Sequence, residues 1–282
     1  MIVMTWNVQW CRGIDGKVDP ARIARVAHGL VDFDVLCLQE VAVNFPGLLG
    51  SHGEDEIAEL AAALPGHVPI FGVATDLLGE RGGRRQFGNA IFTRLPVLQT
   101  FRHSLPWPAD RSVPSMQRMA LEAVVAADSG PLRITCTHLE YYSVLQRRAQ
   151  VEALRALHEE ACAHARAPRA ADERPGGSFD IAPRPASAIL CGDFNFKPDD
   201  PEHARITAPF ATGTPGLVDV WSTLYPDQAH PPTVGLYEEG WPLYCCDFAF
   251  ATQDLVPRLR AVTVDSCTQA SDHQPMIIEL AD

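Results

Sequence analysis

Nine short stretches of this chain carry apolar residues in the manner of β-strands and only three carry them at helical spacing, which narrows the architectures open to it. The strand-like runs are IVMTWNV (2–8), VLCLQEV (35–41), NAIFTR (89–94), MALEAVVA (119–126), LRITCTHL (132–139), AILCGDF (188–194), CDFAFA (246–251), RAVTVDS (260–266) and PMIIEL (275–280). Several alternate apolar and polar with period two, as a half-buried strand does; others are continuously apolar, as a strand covered on both faces is. The helical stretches are VDPARIARVAHGL (18–30), EDEIAELAAAL (54–64) and LQRRAQVEALRALHEEACAHAR (145–166). In the first, Asp19 suits the N-cap, Pro20 the first helical position, and Ile23, Val26, Ala27 and Leu30 fall on one face. Strands this numerous with helices this few predict an α+β chain, its sheets packed face to face and its helices outside. At 282 residues one core suffices, so residues 1–282 read as a single domain. The Pro-, Arg-, Gly- and Ala-rich stretch 165–186 shows no periodicity and reads as a long mobile surface loop inside that domain.

Six of the nine strand-like runs end at, open on or lie beside residues able to do chemistry. Asn7 ends TWN, Glu40 ends LCLQE, His138 ends TCTH, and Asp193 and Asn195 end CGDFN. Asp247 opens the run that follows Cys245-Cys246, and Asp272 and His273 stand just before the last one. Singly, each has an ordinary explanation: Asp-x-Asn after Gly192 is a common turn. Jointly they supply what hydrolysis of a phosphate ester needs. Hard oxygen donors hold a divalent cation, a base handles water, and cationic or N–H groups meet the phosphate oxygens. On a strand, Asp193 and Asn195 at i and i+2 would project to one face.

Charge and cysteine usage remove other classes. The formal net charge of -12 disfavours tight nonspecific binding to nucleic acid or anionic membranes. No stretch has the length of a membrane span, and the N-terminus reads as strand, without a basic leader. The eight cysteines lack metal-knuckle spacing and mostly sit in apolar runs; they read as packing residues of a reduced, cytoplasmic protein. Neither a Ser-His-Asp order nor a recognisable cysteine nucleophile is present.

In order along the chain, TWNVQW, LQE, THLE, GDFN and SDHQP resemble the motifs of the endonuclease/exonuclease/phosphatase superfamily of metal-dependent phosphoesterases. The resemblance implies a four-layer α/β sandwich, two mostly antiparallel sheets packed face to face with helices outside. It further implies a monomer that acts on a phosphoester substrate with Mg²⁺, or Mn²⁺, by in-line attack of water. Glu40 would be the main metal ligand, with Asn7 and Asp272 in the metal or phosphate shell. His273, oriented by Asp247, would activate water or hold the phosphate, and His138 would donate to it. Asp193 would polarise the water that Asn195 positions; the resemblance leaves the base role open between Asp193 and His273. Asn89 and Arg118 match positions beside the substrate, although an ion pair explains Arg118 equally well. Arg81, Arg84 and Arg85 read as a solvated basic loop able to grip a phosphorylated substrate. DNA ends, phospholipids and small phosphoesters all remain open as substrates. A catalytically silent relative binding a phosphorylated ligand is the alternative, and it is disfavoured because every expected polar position is filled.

Overall fold

The computed structural model describes residues 1–79, 82–167, 177, 184–237 and 240–281. Its twelve strands form two six-stranded sheets. The first has the order β11(Leu259–Val264), β12(Met276–Leu280), β1(Ile2–Asn7), β2(Val35–Val43), β4(Arg84–Thr93), β3(Val68–Leu78). The second runs β5(Val97–Ser104), β6(Met119–Ala127), β7(Gly130–His138), β8(Ala188–Asp193), β10(Asp247–Thr252), β9(Leu217–Asp219). Among the described residues only β1–β2 and β7–β8 pair in parallel, so the sheets are mostly antiparallel, as expected.

The period-two alternation assigns every central strand two faces. One set of side chains, including Val3, Val35, Cys37, Ile91, Leu121, Ile134, Cys136, Ile189, Cys191, Ala249 and Ile278, fills the space between the sheets. The opposite set splits in two. Met4, Trp6, Leu36, Leu38 and Phe92 pack under α1(Pro20–Leu30) and α2(Glu56–Ala63). Leu190, Phe248 and Phe250 pack under α3(Val144–Arg166) and against Phe194 and Phe196. Helix, sheet, sheet and helix are thus the four layers. Asp19, Asp55 and Ser143 cap α1, α2 and α3 by accepting from Arg22 N, Ala58 N and Gln146 N at 2.8, 3.0 and 3.3 Å. Two short helices, α4(Pro201–Ile206) and α5(Val220–Leu224), flank β9. Among the described residues no helix is long and apolar enough to cross a membrane.

Three strands had no clear sequence signal, and all three are sheet edges. β3, β5 and β9 bury one face at most, and β9 has only three residues, so the apolar alternation is weak or too short to register. The basic stretch also differs from its reading as a loop. Arg84 and Arg85 lie in β4, paired with Leu78 and Leu77 of β3. There Arg84 donates to Asp76 at 2.8 Å and Arg85 lies over the Phe45 ring at 5.3 Å. Arg81 lies outside the described residues, as does most of 165–186. The packing role read for the cysteines fits seven of the eight, which are free and buried; Cys267 is exposed.

Candidate active site

Along five central strands the inward-facing side chains stay small or apolar and then turn polar at one end of the sandwich. β1 presents Val3, Thr5 and Asn7; β7 presents Ile134, Cys136 and His138; β8 presents Ile189, Cys191 and Asp193. The antiparallel β10 contributes Ala251, Ala249 and then Asp247. Parity alone brings Asn7, His138, Asp193 and Asp247 to the same end.

β2 arrives there by a different route. Its pairing with β4 skips one residue between Leu38 and Val41, and Glu40 occupies the left-handed region at φ 61°. Such a bulge re-aims one side chain. Gln39 keeps the inward position, donating to Thr5 Oγ1 at 3.1 Å, while Val41 joins the outer core. Glu40 therefore also reaches the site, where its Oε1 accepts from Asn7 Nδ2 at 3.2 Å. The same Asn7 nitrogen donates to Asp193 Oδ2 at 3.0 Å, so one amide ties together two carboxylates from different sheets. Asn7 Oδ1 faces the other way and accepts from Gln9 N at 3.1 Å.

Gly192 has φ 141°, and a Cβ built there would lie 1.9 Å from the Thr137 carbonyl oxygen across the parallel β7–β8 pair. Only glycine permits this close approach, which sets His138 directly beside Asp193 in the ladder, with Nε2 3.4 Å from Oδ2. β8 ends at Asp193, so Asn195 is not on the strand. It adopts φ 52°, and its backbone N–H donates to Asp193 Oδ1 at 2.9 Å. The i, i+2 strand geometry expected for this pair is therefore replaced by an Asx turn. The turn still delivers Asn195 Nδ2 to His138 Nε2, 3.0 Å away, and to Leu139 O at 2.9 Å.

His273 enters from the loop before β12. Its Nδ1 contacts Asp247 Oδ2 at 2.8 Å, its backbone carbonyl accepts from Trp6 Nε1 at 2.9 Å, and its Nε2 stands 3.8 Å from Asp193 Oδ2. Thr233 braces Asp247, its hydroxyl accepting from Cys246 N at 3.1 Å and Asp247 N at 3.2 Å. Asp272 is held by Gln9 Nε2 and by Ser271 Oγ. Arg118 and Asn89 are also close by. Arg118 is ion-paired with buried Glu140 at 3.2 Å, and Asn89 donates to the backbone carbonyl of Met119 at 3.0 Å. Both line a small cavity that His138 also lines. Gln9, Thr233, Glu140 and Ser271 were not singled out from the sequence, since nothing in a lone polar residue of a loop marks its partner.

The electrostatics are those of an acidic cluster short of positive charge. Burial, with Asp272 adding to it, pushes the Glu40 carboxyl up to about 7; burial and Asp247 push Asp193 up to about 6. Burial opposes charge on His273, but Asp247, Asp193 and Asp272 outweigh it and hold the imidazole well above the ordinary histidine value. Burial, Arg118 and His273 pull His138 well below it. Hard carboxylate oxygens with raised proton affinity suit a divalent cation, which would relieve the repulsion that now favours protons. Glu40 and Asp193 provide such donors, and Asp272 brings a further carboxylate close to Glu40.

A model of the Endonuclease/Exonuclease/phosphatase family matches residues 4–273. Among solved structures, an endonuclease/exonuclease/phosphatase from Beutenbergia cavernae DSM 12333 is 26% identical, with TM-score 0.67; the match covers 100% of this chain and 72% of that one. A mannosyl-6-phosphatase from Bacteroides thetaiotaomicron VPI-5482 is 18% identical, with TM-score 0.69 and full coverage of both chains (100% and 100%). D. rerio TDP2, solved in complex with a single-strand DNA product, is 19% identical with TM-score 0.64 over 100% of this chain and 99% of that one. Comparison with curated proteins found no match.

Proposed function

Because the chain belongs to the Endonuclease/Exonuclease/phosphatase family, whose members hydrolyse phosphoester bonds, we propose that it is a Mg²⁺- or Mn²⁺-dependent phosphodiesterase. The observation that carries this reading is the meeting of Asn7, Glu40, His138, Asp193 and Asn195, linked by contacts of 2.9–3.4 Å, with the hydrogen-bonded pair Asp247–His273, whose Nε2 lies 3.8 Å from Asp193 Oδ2, all from separate parts of the chain. Glu40 and Asp272 would hold the cation, which supplies charge neutralisation at the phosphate oxygens when bound. Asn7 serves that cluster through its amide N–H groups, fixing the Glu40 and Asp193 carboxylates relative to each other.

Asp193 is the residue that orients the attacking water and takes its proton, held in place by Asn7 Nδ2 and the Asn195 backbone N–H. Asp247, accepting at Nδ1, fixes the His273 ring so that Nε2 faces the cleft, and the imidazolium binds a phosphate oxygen. His138 and Asn195, 3.0 Å apart, flank the same space. To donate to the phosphate and its leaving oxygen, Asn195 Nδ2 exchanges one of its present acceptors, His138 Nε2 and Leu139 O, and the neutral His138 carries its proton on Nε2. This division of labour places the base at Asp193 and leaves His273 as an electrostatic clamp.

The test is hydrolysis of bis(p-nitrophenyl) phosphate by EDTA-treated protein after Mg²⁺ or Mn²⁺ is restored. Asp193→Asn should lose roughly 10²–10⁴-fold in kcat while its circular dichroism stays native. Wild-type turnover in that variant would remove Asp193 from the base role. A folded, metal-supplied protein inert toward phosphodiesters, phosphomonoesters, DNA ends and phospholipids alike would refute the activity.

A further inference from the structure

A second group of metal-ligating side chains lies away from this cleft. His203 of α4, Asp219 at the end of β9 and His230 beyond α5 converge so that both Nε2 atoms lie 2.7 Å from a single atom, Asp219 Oδ2. We infer that His203, Asp219 and His230 form a second divalent-cation site, of the nitrogen-and-oxygen type that suits Zn²⁺, on the outer face of the second sheet. The inference does not depend on the proposed phosphodiesterase activity.

Strand parity separates the two sites. In β10, Asp247 points inward with Ala249 and Ala251, whereas Phe248 and Phe250 point outward. His203 and His230 pack on that outer aromatic face, their ring centroids 5.2 and 5.5 Å from Phe248. The trio therefore sits one sheet thickness away from the Asp193–His273 cluster.

Its chemistry differs as well. The cleft gathers carboxylates for a hard cation beside a mixed group of Asp193, Cys246 and His273, whereas the outer group is two imidazoles and one carboxylate, a zinc-type set without a thiol. The three ligand atoms lie within 4.8 Å of one another. Asp219 is already oriented, since its Oδ1 accepts from Trp221 N and Ser222 N at 2.8 and 3.3 Å, leaving Oδ2 to face the imidazoles. A ligand fixed in this way from its far side is the usual mark of a prepared site. Both rings retain some exposure, 15% for His203 and 9% for His230, so an ion has a route in and room for water as a further ligand. Ordinary metal–nitrogen and metal–oxygen lengths in a tetrahedral site put ligand atoms about 3.3 Å apart. The rings must therefore swing outward by a few tenths of an ångström, and each neutral imidazole carries its proton on Nδ1 in place of Nε2.

The site would also brace the catalytic end. Three residues after His230 comes Thr233, whose hydroxyl accepts from Cys246 N and Asp247 N and whose carbonyl accepts from Gln274 N at 2.7 Å. A cation joining His230 to α4 and β9 anchors the segment that steadies Asp247 and His273.

Zn²⁺ titration in excess Mg²⁺, followed by calorimetry and thermal unfolding, tests this. Wild-type protein should bind one more equivalent of Zn²⁺ than the His203→Gln, His230→Gln double variant and gain thermal stability that the variant does not gain. Glutamine retains an N–H donor for Asp219, which favours an intact fold in the variant. Asp193→Asn should keep the extra equivalent. Equal stoichiometry in wild type and double variant would show a hydrogen-bonded trio only and overturn the inference; loss of the equivalent in Asp193→Asn would assign the ion to the cleft and also overturn it. Co²⁺ loading of the wild type gives a readout independent of any variant. Four-coordinate nitrogen-and-oxygen d–d bands support the site, whereas their absence, or thiolate charge transfer from Cys246 of the cleft or the exposed Cys267, refutes it.

Discussion

Replacing Gly192 by alanine tests the link between fold and site most directly. The new Cβ would start 1.9 Å from Thr137 O, and real Cβ contacts essentially never fall below 3.0 Å, so β7 and β8 must separate locally by about 1 Å. The backbone at φ 141° adds strain that an L-residue pays and glycine does not, about 1–3 kcal/mol. Weakening of one or two ladder hydrogen bonds beside Thr137 adds about 1 kcal/mol each. The expected loss of stability is thus about 2–5 kcal/mol, read as a lower urea midpoint at unchanged m-value. The catalytic consequence should be larger than the loss of folded protein explains. Asp193 is the next residue and His138 its ladder partner, 3.4 Å away, so a shift of about 1 Å there should cost about 10²-fold in kcat. A variant within 1 kcal/mol of wild type, with undiminished kcat per folded molecule, would show that neither the close approach nor the His138–Asp193 registration matters.

Two other perturbations probe the acids. Glu40→Gln removes a charged oxygen donor from the proposed cation site; because loss of mere outer-shell partners already costs about 10–100-fold in metal affinity, at least that loss is expected by Mn²⁺ titration, with activity falling in step. Unchanged affinity would exclude Glu40 as a ligand. Glu56→Gln concerns stability alone. Glu56, the first residue of α2, is buried; its Oε2 accepts from Ala42 N at 2.8 Å, and burial raises its carboxyl to about 8. A carboxyl raised on folding contributes stability that is complete below its unfolded value near 4.5 and is lost as pH climbs to about 8. Wild-type stability should therefore decline between those limits by about 3–5 kcal/mol from this group, and the glutamine variant should lack that decline. Parallel stability–pH curves for the two proteins would refute the assignment.

Much of this was legible in the linear chain because strand and helix periodicities are local. The nine runs became strands, the three amphipathic stretches became α1, α2 and α3, and the polar residues ending the runs met at one end of the sandwich. Parity explains why: a strand that faces the core with Ile189 and Cys191 must face it again at Asp193. Asp19 was likewise legible as the cap of α1, since a cap needs only its own next few residues; Asp55 and Ser143 cap α2 and α3 by the same local rule but were not read as caps.

Only the tertiary structure decided the rest. Edge strands β3 and β5 lack a second buried face, so their residues carry little sign of their state until a neighbour is in place. Glu40 reaches the cleft through one extra residue in β2, a bulge defined only against its partner β4. Asn195 acts from a turn beyond β8, and Gln9 finds Asp272 across 263 residues of chain. His203, Asp219 and His230 carry no motif and become a group only when α4, β9 and the segment after α5 are folded together. Periodicity is written residue by residue along the chain, whereas register, bulges and long-range partners come into being when separate segments exclude water from one another.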